Sequence, residues 1–450
     1  MDKEKFKKTT LLGYKLKRVI FLAFIVIVGF IGILWFARPK TSEIEKRELT
    51  KFPKLTISGL LDGSFFTGID TWYSDTFPLR EGLISKYHSL QSHYGIRSSQ
   101  IIAASPEPEE TGGADNTGSV PKSQTDPDEL LREGLGDVNA SAEHIGAIYI
   151  AGGSGYGIYS YSERNTRRYA DIVSSLADKL SGKANVYSLV APISAGIMLA
   201  DDVRESIGCD DEGKAIDNII SMMSGSVRSV NVYHALKRHN SEYIFFRTDH
   251  HWTSLGAYYS YREFCKVKGI APHEISDFKT MEFDGFLGTF YQQSNRNSVL
   301  GNNPDTVTAY IPNDTNNMVF YGKKDGGYSK YEWKVIYDVS SYPKSELYSC
   351  FAGSDQPYSY CHNPNITDGS SILVVKDSYG NAFIPFLIDH YEHIHWIDYR
   401  YYRSYAAAQG KAANVSALVE QEGIKDVLLL NNINFTGASK TLDNLSNLYS

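Results

Sequence analysis

Polarity changes abruptly near the start of the chain. Residues 1–18 are polar and basic, whereas Val19 to Ala37 (VIFLAFIVIVGFIGILWFA) carries no charge. A helix over that run is about 28 Å long, close to the hydrocarbon thickness of a bilayer. The pattern predicts one transmembrane helix over 19–37. Residues 38–103 are interrupted by Pro53 and Pro78, with apolar positions from Phe65 to Leu90 at mixed helical spacing. Short membrane-proximal helices packing on the main domain are expected there. Residues 104–140 are rich in Pro, Gly, Ser, Asp and Glu and lack aromatics. Such a segment buries too little apolar surface to offset its ordering entropy and is expected to be a flexible linker.

From 141 to 450 apolar runs alternate with amphipathic ones. Strands are predicted at GAIYIAG, ANVYSLVAP, SSILVVKD, HIHWID and DVLLL, with further short strands or strand-like pieces at VNVYHAL and EYIFF. Helices are predicted over Glu163–Leu180, Lys214–Ser224, Leu255–Lys268 (stopping at Gly269), Asn381–Asp389 and Ala412–Glu422. Residues 281–365 show no helical period and are expected to form an irregular insertion with β pieces. Strands alternating with helices imply an α/β domain with a mainly parallel sheet covered on both faces.

Charge sharpens the first picture. Residues 1–18 sum to +5, so the remainder of a chain of net charge −7 carries −12. Basic residues on the N-terminal side of the apolar run hold that end in the cytoplasm, and Trp35 suits the far interface. The expected arrangement is a basic cytoplasmic tail (1–18), a single-pass plasma-membrane anchor and an extracytoplasmic domain. A cleaved signal peptide is the alternative, but no small-x-small site precedes Arg38-Pro39. The acidic balance offers no basic surplus for nucleic acid. The 32 Tyr suit sugar stacking as well as cores. An exported domain permits disulfides, and sequence proximity favours Cys350–Cys361 with Cys209–Cys265. The alternative is four buried free thiols.

Two stretches carry candidate chemistry. Arg247-Thr248-Asp249-His250-His251-Trp252-Thr253 follows an apolar run and precedes a helix that Thr253 or Ser254 could cap. In extended chain, Asp249 and His251 share a side and His250 faces away. A carboxylate beside an imidazole fixes its tautomer for general-base work. Lys376-Asp377-Ser378-Tyr379-Gly380-Asn381 follows the apolar run 372–375 and opens a helix. It puts Ser378 at the C-terminal edge of the sheet, where the helix's first N–H groups and the Asn381 amide face a developing oxyanion. Either stretch alone also reads as a helix cap. Together they supply nucleophile, base and orienting acid.

RTDHHWTSLGAYYSY, KDSYGNAFIPFL and WIDYRYY, with SEIEKRELTKFP after the apolar run, resemble the bacterial DHHW family. That family is related to exported alginate O-acetylation proteins with an SGNH-hydrolase-like domain. The resemblance implies Ser378 as nucleophile, His251 as base and Asp249 as acid, in reversed chain order relative to ordinary SGNH hydrolases. Arg400, Tyr379 and Trp252 are expected to join Asn381 as oxyanion or substrate-binding residues. Lys376 replaces the family's usual Gly. The implied function is extracytoplasmic O-acetyl transfer to a cell-surface or exported polysaccharide. A membrane-bound O-acyltransferase would supply the acetyl group, and no cofactor is needed. A carbohydrate O-acetylesterase of the same mechanism is the near alternative.

Two other classes compete. A metal-dependent hydrolase could use Asp249, His250 and His251. It would need further ligands, for which Asp377, Asp389, His390, His393 and His395 lack convincing spacing. A non-catalytic polysaccharide-binding or assembly protein could keep the fold alone.

Overall fold

The computed structural model describes residues 38–42, 47–56, 59, 64–78, 100–102, 147–324, 326–437 and 439–449. The basic tail, the 19–37 run and the 104–140 linker lie outside the described residues. Among those described, no helix is long and apolar enough to cross a membrane.

The chain forms two units, Met1–Gly95 and Ile96–Ser450. In the first, strands β1 (Thr41–Ser42) and β2 (Arg47–Glu48) pair antiparallel, and a helix covers Ser64–Asp75. Arg38 lies 4.0 Å over the Trp72 ring and donates to Thr76 Oγ1 at 2.8 Å, which pins the segment before β1 to the helix.

The second unit is a mixed α/β fold. A small antiparallel sheet joins β3 (Gln100–Ile102), β4 (Ile148–Ala151) and β5 (Ser154–Gly157). Then follow β6 (Asn185–Ala191), β7 (Val227–Val230), the antiparallel pair β8 (Lys279–Phe286) and β9 (Asp305–Ile311), β10 (Asn317–Lys324) and β11 (Gly327–Lys334). The last strands are β12 (Tyr358–His362), β13 (Ser371–Lys376), β14 (His393–Asp398) and β15 (Asp426–Asn432). The main sheet has eight strands in the order β11-β10-β12-β14-β13-β15-β6-β7. The block from β14 to β7 is parallel, and β12, β10 and β11 extend it antiparallel.

Every residue of β13 and β15 is buried, as expected for strands covered on both faces. Adjacent residues of β6 show which helices do the covering. Tyr187 meets Phe264 of the Ser254–Lys268 helix edge-on at 5.2 Å, and Ser188 meets Tyr169 of the Glu163–Lys179 helix at 3.3 Å. Successive strand residues point to opposite faces, so these helices lie on opposite sides of the sheet. Local caps set their ends. Ser162 and Thr253 accept from backbone N–H groups at the starts, and Gly269 closes the second helix at φ 83°.

Four expectations need correction. EYIFF is not a strand: Phe245 forms only an isolated bridge to Trp252, folding 245–252 into a closed loop. VNVYHAL gives way to a helix over Tyr233–Arg238, with β7 just before it. The 281–365 insertion is less irregular than expected. It contains most of β8 and all of β9–β12, and the alternating burial of β10 shows the period-two signal that its Tyr and Lys residues obscure. Asn381–Asp389 is a short α-helix, Tyr379–Phe383, continued as a 3-10 helix over Ile384–His390 in which Pro385 supplies no N–H.

The disulfide expectation also fails, and all four cysteines are buried free thiols. Each sulfur sits in its own packing environment. Cys209 Sγ accepts from Tyr159 N at 3.3 Å, Cys361 Sγ donates to Asn317 O at 3.2 Å, Cys265 lies on the Ser254–Lys268 helix, and Cys350 ends a 3-10 turn. Burial raises the thiol pKa of Cys209 to about 11 and those of Cys265 and Cys361 to about 12, so these sulfurs stay protonated and inert.

Candidate active site

The closed loop before the Ser254–Lys268 helix carries Asp249, His250 and His251. Its mouth is tied by Phe246 N to His251 O and by Thr253 N to Ile244 O. The carboxylate of Asp305, at the start of β9, accepts from Arg247 N, Thr248 N and Thr248 Oγ1 at 2.9, 2.8 and 2.6 Å. These bonds fix the loop's backbone and therefore the direction of the two imidazoles.

Ser378 comes from the other half of the chain, directly beyond the C-terminal end of β13. Asp377 holds its turn. Asp377 Oδ1 accepts from Tyr379 N at 3.0 Å, and Oδ2 accepts from Asn432 N and Asn432 Nδ2 at 2.7 and 3.0 Å. The serine is thereby anchored to the end of β15.

Across a separation of 127 residues, His251 Nε2 and Ser378 Oγ lie 2.6 Å apart, and His251 Nδ1 lies 2.6 Å from Asp249 Oδ1. All three residues are at least nine-tenths buried. Asp249 Oδ2 accepts from Thr289 N at 2.8 Å and Thr289 Oγ1 at 3.0 Å. Burial would raise the Asp249 pKa. The charge interactions with His251 and His250, with the hydrogen bonds from His251 and Thr289, outweigh it and hold the carboxyl well below its usual range. Tyr348 stacks on the His251 ring, with centroids 4.0 Å apart and planes at 12°, and donates to Ser378 O at 3.0 Å. One side chain thus orients both partners.

His250 does not face away as an extended chain would have it: the loop is bent, its ring lies 3.8 Å from that of His251, and its Nδ1 is 2.6 Å from Thr289 Oγ1. Because that hydroxyl donates to Asp249, it accepts from His250 Nδ1–H. The donor atoms of Asp249, His250 and His251 lie close enough together to hold an ion. Both ring nitrogens of His251 already face Asp249 and Ser378, however. The carboxylates that a metal site would need are also engaged, Asp377 as above and Asp389 by the backbone N–H groups of Asn313 and Asp314.

The expected oxyanion and substrate residues are placed differently from the sequence reading. The first amides after Ser378 are satisfied internally, Tyr379 N by Asp377 Oδ1, Gly380 N by Asp377 O and Asn381 N by Ser378 O. Asn381 Nδ2 donates to Asp355 Oδ1 at 2.8 Å, and its Oδ1 is buried without a partner. Trp252 and Tyr379 are fully buried, with Trp252 Nε1 donating to Tyr379 O and Tyr379 Oη to His250 O. They brace the loop and do not present a substrate surface. Arg400 forms an ion pair with Asp398 at 2.6 Å and with Asp355 at 2.8 Å. Lys376, wholly buried, completes this quartet at 2.9 Å from Asp355 and 3.6 Å from Asp398. Two cations and two anions cancel, which allows a lysine to be buried next to Asp377.

Asp305, Gly288, Thr289, Tyr348 and Asp355 escaped the sequence reading. They lie in or beside the segment read as irregular, without a motif of their own. Asp355 follows three consecutive residues of positive φ, Ala352, Gly353 and Ser354, in a buried loop. Such strain collects at functional sites, but single residue types do not announce it.

Comparison with known proteins agrees with the motif. No curated protein matches the chain. A DHHW family protein from Eubacterium siraeum, known from a crystal structure, aligns at TM-score 0.57 and 29% identity, over 68% of this chain and 96% of that one. PatB1 of Bacillus cereus, solved with a sulfonyl adduct, aligns at TM-score 0.52 and 16% identity, over 64% of this chain and 95% of that one. The O-acetyltransferase domain of Pseudomonas putida AlgJ aligns at TM-score 0.36 and 9% identity, over 67% of this chain and 98% of that one, and at that distance bears on neither fold nor activity. The family model for DHHW protein matches residues 45–119 and 122–397, most of the chain, and the protein belongs to the DHHW family.

Proposed function

We propose that this protein is a serine acyl-transfer enzyme of SGNH-hydrolase type, an O-acetyltransferase acting on a cell-surface or exported polysaccharide. The observation that carries the reading is the continuous hydrogen-bonded line from Asp249 through His251 to Ser378, with 2.6 Å at each step. That is the geometry of a general base within proton-transfer reach of a nucleophile and oriented by a carboxylate.

In the proposed reaction His251 Nε2 takes the Ser378 proton as Oγ attacks the carbonyl carbon of an acetyl ester. The imidazolium then returns that proton to the departing alkoxide, leaving acetyl-Ser378 and the donor's alcohol. A sugar hydroxyl next gives its proton to His251 and attacks the acetyl-serine, which releases Ser378 Oγ to be reprotonated. Asp249 stays ionised throughout, holding Nδ1–H and stabilising the imidazolium. Water in place of the sugar would make the same cycle an esterase. The 19–37 run supports a membrane tether that holds the site outside the cytoplasm, beside polymer and next to a membrane-bound O-acyltransferase as acetyl supplier.

The test treats the full-length protein with an acetyl ester and, separately, with an aryl sulfonyl fluoride, which would leave a sulfonyl adduct on a reactive serine. Mass spectrometry should find a 1:1 adduct on Ser378, absent from Ser378→Ala. Product analysis with candidate glycans distinguishes transfer from hydrolysis. Undiminished turnover by folded Ser378→Ala would overturn the reading.

A further inference from the structure

A second cluster lies at the other end of the sheet strand that carries Asp398. His362, the last residue of β12, is directly opposite His393, the first residue of β14, and cross-strand partners share a face. Their rings lie 5.2 Å apart at 23°. Glu392 adjoins them, and one ligand atom from each of the three residues lies within 4.8 Å of the others.

Two of the three side chains are held from behind. His393 Nδ1 is 2.8 Å from Tyr360 Oη, and Glu392 Oε2 accepts from Gly369 N at 2.7 Å. With Nδ1–H donating to the tyrosine, Nε2 presents its lone pair outward. Glu392 likewise presents Oε1. These atoms, His393 Nε2 and Glu392 Oε1, are 3.5 Å apart. An imidazolium–carboxylate hydrogen bond would close to about 2.8 Å. Two ligands each about 2.05 Å from one tetrahedral ion are about 3.3 Å apart. The observed spacing is nearer the second, and outward-facing ligands braced through their rear atoms are the usual arrangement around a protein-bound metal.

We propose that His362, Glu392 and His393 form a binding site for Zn²⁺ or a similar borderline divalent transition metal, with water completing the shell. The donor set of two imidazoles and one carboxylate suits that class. The bound ion would clip the end of β12 to β14 and to the 363–370 turn, where Asn363 N and Gly369 N already bind Glu392. It lies at the opposite end of β14 from Asp398 and takes no part in acyl transfer.

The test uses full-length protein stripped of metal, titrated with Zn²⁺ by calorimetry and followed by thermal unfolding. One equivalent should bind and raise the unfolding temperature. His362→Ala and His393→Ala should each weaken binding about tenfold or more, and Tyr360→Phe about 10–100-fold through loss of the rear support. Unfolding temperatures in chelator should match the wild type, which separates ligand loss from misfolding. His250→Ala should keep the equivalent. The proposal falls if wild-type protein binds no Zn²⁺. It also falls if the folded His362→Ala/His393→Ala double variant binds as tightly as wild type, or if His250→Ala is the variant that loses the ion.

Discussion

Gly288 lies so close to Asp249 that a Cβ at that position would be 2.2 Å from Oδ2 and 2.6 Å from Cγ. The glycine's φ is an ordinary −80°, so the requirement is for space and not for a special backbone conformation. The next residue, Thr289, then reaches Asp249 with both N–H and Oγ1. Gly288→Ala should push the carboxylate off the His251 line and lower kcat/KM for an acetyl ester about 100-fold, with the fold retained. Steady-state kinetics alongside circular dichroism checks this, and unchanged kcat/KM would count against it.

Asp249→Asn keeps the shape and removes the charge that selects the Nδ1–H tautomer. kcat should fall about 10⁴-fold. Proton NMR of the imidazole should lose the downfield Nδ1–H resonance in the variant. A loss of only a few fold would mean that Asp249 braces the loop without serving the histidine.

The Lys376, Arg400, Asp355 and Asp398 quartet is balanced only when complete. Lys376→Met leaves two buried carboxylates facing one guanidinium and should cost about 3–5 kcal/mol in urea unfolding. Adding Asp355→Asn to Lys376→Met should recover part of that loss. A single variant as stable as wild type would show that water reaches these charges.

Acid should act through His390 and His395. Burial, with repulsion from His273 and Lys268, lowers the His390 pKa to about 4; burial, with repulsion from His393, does the same for His395. The folded state binds fewer protons than the unfolded state between pH 4 and 6.5. Each group therefore contributes stability that is present above pH 6.5 and lost as pH falls through 4, up to about 3 kcal/mol. Buried Glu212, raised to about 8 by desolvation, works in the opposite sense because its contribution is lost as pH rises. Total stability is thus a poor readout. His395→Asn, which keeps an acceptor for Tyr358 Oη, should gain about 2 kcal/mol relative to wild type on going from pH 7 to pH 5. A pH-independent difference between the two proteins would refute the assignment.

The thiols give a simpler check. The native protein should not react with an aromatic disulfide reagent, and after denaturation without reductant it should titrate as Cys209, Cys265, Cys350 and Cys361, all free. Fewer groups under those conditions would mean a disulfide.

The legible parts of the sequence were those with a strong local period or a strong local motif. ILVV in β13 and VLLL in β15 read as buried strands because both faces are covered, and Asp-x-His and Asp-Ser at element ends marked the central residues. Features set by partners far along the chain were not legible. Tyr243–Phe246 is apolar enough for a strand but has only Trp252 to pair with. The amides beyond Ser378 are taken by the Asp377 carboxylate (Tyr379 N) and by the backbone carbonyls of Asp377 and Ser378 (Gly380 N and Asn381 N), none of which a local motif announces. Cys350 and Cys361 are near in sequence, yet one ends a turn and the other lies in β12, donating to β10.

The position of β15 has a consequence for biosynthesis. Residues 426–432 lie between β13 and β6, and Asn432 grips the turn that presents Ser378. A nascent chain released before this segment would have an unfilled slot in the middle of its sheet, and the serine's support would be missing. Premature termination upstream of 426 should therefore yield material for proteolysis and no partially competent enzyme, so chemical competence reports that translation has passed this point.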